Sequence, residues 1–174
     1  MSSQERQAAF RIDSATDRDV PALLRMIRGL AEYERLAHMV VSTEESLRSA
    51  LFGARPVAEA IVARTPGGAA GFALFFHTYS TFAGRPGMYL EDLYVEPQWR
   101  RRGLGRRLLA RVAEIAAGRG CDRLSWSVLD WNEPALGFYR TLGAGPVKDW
   151  LGYKIAGDAF GRLAATAAGP EMGE

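Results

Sequence analysis

The sequence predicts an α/β domain built around a mixed sheet. Strand-like segments with alternating apolar residues take turns with segments of helical spacing. Two strand-like segments flank the turn Pro66-Gly67-Gly68, as in a hairpin, and a turn between a strand and a helix is rich in glycine and arginine. The predicted order is β-α-α-β-β-β-α-β-α-β. At 174 residues the chain fits one domain, so we expect a single domain over 1–174 with a core at about 10–156 and flexible termini.

The first half of the chain is predicted to hold a strand, two helices and a hairpin. Apolar residues recur at helical spacing from Val20 to Ala31, after a capping signal at 16–19. A second helix is expected to begin at Ser42, with Glu45 completing a capping box. The predicted elements are a strand at 10–12, a helix at 20–31, a helix from Ser42, and hairpin strands at 58–64 and 69–79.

The second half is predicted to alternate strands with helices. A long helix follows a strand and ends at Gly118 and Gly120, and a short helix ends at Gly143. The predicted elements are a strand at 88–95, a helix at 104–117, a strand at 124–128, a helix at 133–142 and a strand at 150–155. The chain end from about Ala164 is expected to fray.

Composition limits the partners and the compartment. A net charge of +2 is too small to indicate a nucleic-acid partner, and no aromatic stacking pattern accompanies the arginines. The single cysteine, Cys121, excludes an internal disulfide framework and a multi-cysteine metal site, and no metal is predicted. The polar segment 1–9 lacks the apolar core of a signal peptide, and no segment is long and apolar enough to span a bilayer. We therefore expect a cytoplasmic protein with no membrane partner.

The loop from Pro97 to Gly105 carries the clearest functional pattern. Glycines leave main-chain N–H groups uncovered, the following helix adds unpaired N–H donors and a positive dipole end, and the arginines can neutralise phosphates. The dinucleotide fingerprint is excluded because its third glycine would fall at Leu108, and the Lys-Ser/Thr of a P-loop is absent. The pattern favours a pyrophosphate site, although simple turn chemistry with solvated arginines is the alternative.

The pattern Arg-x-x-Gly-x-Gly at 100–105, between a strand and a helix, resembles the acetyl-coenzyme A signature of the GNAT N-acetyltransferases. Four further segments resemble the diamine acetyltransferase branch, which includes the spermidine/spermine N1-acetyltransferase-like and thialysine acetyltransferase-like enzymes. These segments are 30–34, 89–95, 131–134 and 138–140. The resemblance covers roughly residues 10 to 156.

The resemblance implies a GNAT fold, in which a mixed, mostly antiparallel sheet flanked by helices is splayed between its fourth and fifth strands. It implies acetyl-CoA as co-substrate, bound in that wedge, and a homodimer. Tyr139 would be the general acid, and Glu91 the general base acting through water. The acceptor-binding residues implied are Tyr33, Glu34, Glu91, Asp92 and Trp150. The cofactor-binding residues implied are Leu93, Tyr94, Val95, Arg100, Arg101, Arg102, Gly103, Leu104, Gly105, Arg106 and Asn132.

These roles agree with the chemistry of acetyl transfer. The attacking amine must lose a proton, which a carboxylate can accept, and a phenol can reprotonate the departing thiolate. Each residue also has a structural alternative. Tyr139 could pack its ring in the core, and Asn132 could be only a helix N-cap. Glu91 and Asp92, adjacent on a strand, are expected on opposite faces, so one of them could simply be exposed at the sheet edge.

The acceptor is predicted to be a small primary amine. Polyamine-acetylating members tend to carry acids where this chain has Arg35-Leu36-Ala37-His38, and an acid and a tryptophan where it has Ser80-Thr81-Phe82. A diamine or a lysine- or thialysine-like amino acid therefore fits better than spermine. Arg35 could meet a substrate carboxylate or be a solvated helix-end arginine. The alternatives are acetylation of a protein N-terminus or an aminoglycoside-type drug, or an acyl-CoA sensor without turnover.

Overall fold

Five strands form one sheet, in the same order as they occur in the chain, in a computed structural model that describes residues 10–167. The expectations for the two chain ends concern mainly residues 1–9 and 168–174, which lie outside the described residues. Neighbouring strands are antiparallel, except that β4 and β5 are parallel. The strands are β1 (Arg11–Ser14), β2 (Glu59–Thr65), β3 (Gly68–Ser80), β4 (Arg85–Val95) and β5 (Leu124–Ser125).

The chain divides into two units, residues 1–129 and 130–174, which are described separately. The helices of the first unit are α1 (Val20–Tyr33), α2 (Glu44–Phe52) and α3 (Leu104–Gly118). Three short 3₁₀ helices accompany them, at Asp17–Asp19, Ala37–Met39 and Pro97–Trp99. The described part of the second unit holds α4 (Glu133–Arg140) and α5 (Gly157–Ala165). None of the helices between residues 10 and 167 has the length and apolar character needed to cross a membrane.

Helices cover both faces of the sheet in the first unit. On one face α1 and α2 pack against β2, β3 and β4, because their apolar residues recur at helical spacing. This core cluster consists of Val20, Leu23, Leu24, Met26, Leu47, Leu51, Ala60, Val62, Phe72, Leu74 and Tyr94. We call this side of the sheet the α1 face. On the other side, the α3 face, the helix approaches so closely that a Cβ on Gly71 would lie 3.3 Å from a methyl of Leu108.

The N-terminal turn of α1 is fixed by Asp19. Its carboxylate accepts hydrogen bonds from the Thr16 N–H (2.7 Å) and hydroxyl (2.9 Å), which completes a cap. The Arg64 guanidinium of β2 also donates two hydrogen bonds to it, at 2.6 and 2.8 Å. The bond to Arg64 lowers the pKa of Asp19 to about 2, although burial opposes the shift. One carboxylate therefore both caps the 3₁₀ helix that leads into α1 and ties it to the sheet.

Most predicted elements are confirmed, and two details at helix starts and strand ends differ. The helix α2 begins at Glu44, after its N-cap Thr43, and the capping box is completed by Ser46 rather than Glu45. The Ser46 side chain stands at the third helical position, from which it accepts the Thr43 N–H at 2.9 Å. The strand predicted at 124–128 is only two residues long in the structure.

The prediction of a last strand at 150–155 is wrong. Residues 150–156 have no regular structure, and the helix α5 follows them. A strand needs a neighbour for its main-chain hydrogen bonds, and residues 130–167 contain no other strand. The helix was not predicted, although Phe160, Leu163 and Ala164 have helical spacing behind Asp158 in the first turn.

Candidate functional site

A wedge opens in the sheet between β4 and β5. The two strands pair only at Met88 with Leu124 and at Tyr89 with Ser125. Beyond this point β4 continues to Val95 and remains paired with β3 on its other edge. Within the described residues no strand covers the remaining edge of β4, so its main-chain groups can bind an extended ligand. The predicted splay between the fourth and fifth strands is confirmed.

A β-bulge in β4 decides which side chains face α1. Leu90 pairs with Phe75, and Asp92 pairs with Leu74, so Glu91 is an extra residue between them. Leu74 and Phe75 are neighbours and face opposite sides of the sheet, and their partners must do the same. Asp92 therefore lies on the α1 face, whereas strict alternation would give it the face of Leu90.

Three carboxylates come together around the bulge, and we call them the carboxylate cluster: Glu34, Glu91 and Asp92. Burial, the largest cause, and the charges of Glu91 and Glu34 together raise the pKa of Asp92 to about 6. Burial also raises the pKa of Glu34. Within residues 10–167 none of the three forms a salt bridge. The cluster is thus a half-buried anionic site suited to a cation.

The structure exposes Glu91 and Asp92 to different degrees. Glu91 is exposed at the bulge, and Asp92 is half-buried on the α1 face. One exposed acid agrees with the alternative stated from the sequence, whereas the bulge between Leu90 and Asp92 was not predicted. Alternation along the sequence cannot reveal a bulge, which depends on pairing with the neighbouring strand.

The end of α1 brings Glu34 to the cluster. The helix closes with a Schellman turn, in which the Leu36 N–H donates to the Ala31 carbonyl at 2.7 Å and the Arg35 N–H to the Glu32 carbonyl at 3.1 Å. Arg35 takes the left-handed position of this turn, with φ 63°, where glycine is the usual residue. The turn stops the helix directly after Glu34, beside Tyr33.

The loop before α3 has the geometry of an anion site. Arg101 and Gly103 have left-handed φ values of 59° and 79°, and Gly103 is the N-cap of α3. The first helical hydrogen bond of this turn runs from the Arg107 N–H to the Gly103 carbonyl at 3.1 Å. The N–H groups of Leu104 and Gly105 precede it and have no acceptor within the helix. They lie at the positive end of the helix dipole, which fits a pyrophosphate.

The arginine side chains of this loop have different surroundings. Arg102 stacks over the ring of Trp99, with its Cζ 5.0 Å from the ring centroid. The Arg100 side chain contacts residues outside the loop. Its Nε donates to the Val95 carbonyl at 2.9 Å, and its guanidinium lies over the rings of Tyr33 and Tyr94. The sequence predicted Arg100 as a cofactor residue and contained no signal for this second set of contacts.

The predicted cofactor residues of β4 alternate between the two faces. Tyr94 is buried on the α1 face, and a Cβ on Gly29 would lie 2.7 Å from its hydroxyl, so its side chain packs against α1. Leu93 pairs with Ala73 and Val95 with Gly71, and all four belong to the α3 face. Only the main chain of Tyr94 can therefore take part in the wedge.

The second unit carries the remaining predicted residues. Asn132 is 6% exposed and is the N-cap of α4, because its Oδ1 accepts the Ala135 N–H at 3.3 Å. Tyr139 lies in α4, with its ring 5.3 Å from that of Phe138. Trp150 is 73% exposed. The N-cap role of Asn132 is confirmed.

Comparison with known proteins identifies relatives over most of the chain. The acetyltransferase (GNAT) family matches residues 27–144. A thialysine N-epsilon-acetyltransferase of Mus musculus is 40% identical over 168 residues, which cover 90% of this chain and 98% of that protein. An L-ornithine N5-acetyltransferase of Arabidopsis thaliana is 32% identical over 195 residues, covering 86% of each protein.

Solved structures agree on the fold. An integron cassette protein from the mobile metagenome of V. cholerae has a TM-score of 0.76 at 24% identity, over 90% of this chain and 98% of that one. An aminoglycoside acetyltransferase from a soil metagenome, in complex with sisomicin, has a TM-score of 0.72 at 18% identity, over 86% of this chain and 99% of that one. At these identities the likeness concerns the fold alone.

Proposed function

Because the chain belongs to the GNAT acetyltransferase family, we propose that it acetylates the side-chain amine of a small lysine- or thialysine-like amino acid. The chain is an acetyltransferase, and its substrates are acetyl-CoA and a small-molecule primary amine. We assign this activity to one domain over residues 1–174. A short diamine is the second candidate acceptor, because it too presents a terminal ammonium.

The observation that carries the acceptor class is the carboxylate cluster. An alkylammonium is charged at neutral pH, and three neighbouring carboxylates without a salt bridge in the described residues provide the opposite charge. Three carboxylates can neutralise one ammonium group, but they are too few to line the whole length of a polyamine. The stretch from Ser80 to Phe82 adds none, because none of its residues is acidic.

The named relatives favour an amino acid within this class. The names of the Mus musculus and Arabidopsis thaliana relatives, thialysine N-epsilon- and L-ornithine N5-acetyltransferase, both specify the side-chain nitrogen of an amino acid. Such an acceptor also carries a carboxylate. Arg35 directly follows Glu34 at the end of α1 and is the residue we assign to that carboxylate.

Acetyl-CoA would be held by main-chain groups and arginines of the first unit. The N–H groups from Arg101 to Gly105 face an anion site, and the side chains of Arg101, Arg102 and Arg106 add positive charge. The open edge of β4 near Leu93 and Val95 would pair with the pantetheine arm. Asn132 is a proposed cofactor contact on the family resemblance alone. When bound, the co-substrate supplies the thioester acyl group and departs as a thiol.

The chain's own groups move the protons. Glu34 and Asp92 hold the ammonium, and exposed Glu91 accepts its proton through water, which leaves the amine neutral for attack. Tyr139 donates its phenolic proton to the departing thiolate. As the pH falls through about 6, Asp92 becomes protonated, so the KM for the acceptor should rise on the acid side.

We also propose that the enzyme works as a homodimer in the cytoplasm. The second unit exposes large apolar side chains that a second copy of the chain would remove from water. They include Val147, Trp150, Leu151, Tyr153, Ile155, Phe160 and Leu163. The single cysteine suits a reducing compartment.

A matched acceptor panel tests the proposal. Thiol release from acetyl-CoA would be measured with lysine, thialysine, ornithine, spermidine, spermine, an aminoglycoside and a peptide with a free N-terminus. Each amino acid would be compared with its decarboxylated counterpart, for example lysine with cadaverine. A higher kcat/KM for the amino acid of each pair is expected. A preference for cadaverine would assign the diamine class instead, and binding of coenzyme A without turnover on any amine would indicate a sensor.

A further inference from the structure

Arg100 begins the cofactor loop, but its side chain contacts two other parts of the first unit. The Nε donates to the carbonyl of Val95, the last residue of β4, at 2.9 Å. The Cζ lies 5.1 Å from the ring centroid of Tyr33 and 5.5 Å from that of Tyr94, within the range of a cation–π contact. Burial raises the pKa of Tyr94, and the neighbouring Arg100 opposes that rise.

These contacts connect the loop to the acceptor side of the site. Tyr33 is the last residue of α1 and directly precedes Glu34, a member of the carboxylate cluster. Tyr94 lies on the same face as Asp92, two residues further along β4, and its hydroxyl is close to Gly29 of α1. The guanidinium therefore holds the end of α1 against the end of β4, which are the two elements that carry Glu34 and Asp92.

A neighbouring arginine shows that this arrangement is not a general property of the loop. Arg102 stacks on Trp99, a residue of the same loop. Arg101 has the left-handed φ of 59°, and its side chain is exposed. The two rings around Arg100 come instead from a helix and a strand. The planar guanidinium suits this position between rings, and an ammonium cannot reproduce its stacking or its directed hydrogen bonds.

We propose that Arg100 is a positioning residue that couples the cofactor loop to the acceptor site, by fixing the last turn of α1 and with it Glu34. This inference rests on the proposed function for its kinetic consequence. Its structural consequence, the order of the turn after Tyr33, needs no ligand. The motif alone would make Arg100 a direct ligand of the pyrophosphate, which predicts a different set of effects.

The kinetic test separates the two roles. Arg100→Gln should raise the KM for the preferred acceptor about tenfold at saturating acetyl-CoA, and Arg100→Lys should restore little of the loss. The Kd for coenzyme A, measured by calorimetry without acceptor, should change less than about threefold. Arg101→Gln removes the same charge from the same loop and should weaken coenzyme A binding without raising the acceptor KM. A large loss of coenzyme A affinity in Arg100→Gln with an unchanged acceptor KM would overturn the proposal.

Two further measurements keep the test decisive if Arg100→Gln is poorly folded or no acceptor is found. Tyr33→Leu should reproduce the rise in acceptor KM, and the double variant with Arg100→Lys should be non-additive. In the ligand-free proteins, amides of residues 30–39 should exchange with deuterium faster in Arg100→Lys than in Arg101→Lys. Equal exchange in the two variants would contradict the positioning role, whereas an absence of turnover in the unaltered enzyme would contradict only the proposed function.

Discussion

Asp92 keeps a carboxylate on a half-buried face, beside two further carboxylates that oppose its ionisation. Its pKa of about 6 lies above the ordinary value of 3.8, so the folded protein binds this proton more tightly than the unfolded chain does. The contribution of Asp92 to the free energy of unfolding is therefore most favourable at low pH, where its carboxyl is protonated. This contribution falls as the pH rises from about 4 to about 6. At neutral pH the charge remains at the expense of stability, which is expected of a group kept for ligand binding.

Replacing Asp92 by Asn should therefore stabilise the protein at neutral pH. The pKa shift corresponds to an increase in the free energy of unfolding of about 1–3 kcal/mol at pH 7.5, and the gain should shrink below about 1 kcal/mol at pH 4. Urea denaturation at the two pH values measures it. Asp17→Asn, which removes an exposed carboxylate paired with Arg48, is the control and should change stability by less than about 1 kcal/mol. An Asp92→Asn variant that is less stable at pH 7.5 would disprove the stated burial and repulsion.

Tyr139 can be tested by removing one oxygen atom. If its hydroxyl reprotonates the leaving thiolate, Tyr139→Phe should lower kcat by about 10²- to 10⁴-fold on a verified acceptor while leaving the melting temperature nearly unchanged. Tyr153→Phe is the matched control, because Tyr153 is exposed in the same unit and has no role in the proposed proton transfers. Turnover that is equal in both variants would remove Tyr139 from the mechanism.

At the scale of elements, one ion pair fastens α1 to β2. Asp19→Asn keeps the shape of the side chain but loses the charge that Arg64 neutralises, so the free energy of unfolding should fall by about 2–3 kcal/mol at pH 7. The pKa of Asp19 is lowered to about 2, so this contribution is present above about pH 4 and is lost as the pH falls through 2. Chemical denaturation at pH values between 7 and 3 should show that the difference in free energy of unfolding between the unaltered protein and Asp19→Asn becomes smaller as the pH falls. A constant difference across this range would contradict the assigned pKa.

Two glycines in neighbouring elements should respond oppositely to alanine. A Cβ on Gly71 of β3 would lie 2.7 Å from the Tyr94 carbonyl oxygen, so Gly71→Ala should destabilise the protein by about 1–3 kcal/mol. Gly118 ends α3 with open space around it, and Gly118→Ala should stabilise by up to about 1 kcal/mol. Thermal denaturation of both variants measures the contrast. A neutral Gly71→Ala variant would mean that β3 and β4 can separate without loss.

The elements that the sequence predicted well are those defined by local pattern. The apolar spacing of α1 and α3 and the turn between β2 and β3 depend on residues close in the chain, and all are confirmed. The bulge at Glu91 and the fate of residues 150–155 depend on which strand lies alongside. Local pattern contains no such information, which is why alternation failed at Asp92 and a strand was expected at Trp150.

At the scale of the whole molecule, the sequence predicted the site for the acetyl donor more completely than the site for the amine acceptor. The anion site uses a glycine-arginine pattern contiguous in the sequence, so the order of residues is enough to recognise it. The carboxylate cluster unites residues 34, 91 and 92 through the register of a bulge and the end of a helix. The sequence resemblance named its members, but only the folded chain shows which of them is desolvated.

The exposed apolar residues of the second unit lead to a prediction about assembly. If a second copy covers them, sedimentation at micromolar concentration should give a dimer, and replacing Trp150 and Leu151 together by Ser should shift it toward monomer. Replacing Phe82, an exposed aromatic residue of the first unit, is the control and should leave the dimer intact. A monomer at all concentrations for the unaltered protein would contradict the homodimer.

The bulge at Glu91 can also be regarded as a change of parity. A strand assigns odd and even positions to opposite sides, and one additional residue exchanges the two sets for everything beyond it. Leu90 and Leu93 are three positions apart, yet the bulge places both of them on the α3 face. Asp92 then lies on the α1 face. Deleting Glu91 would remove the extra residue but keep Leu90 opposite Phe75 and Asp92 opposite Leu74, so the one-residue deletion should cost the exposed carboxylate and leave Asp92 on the α1 face.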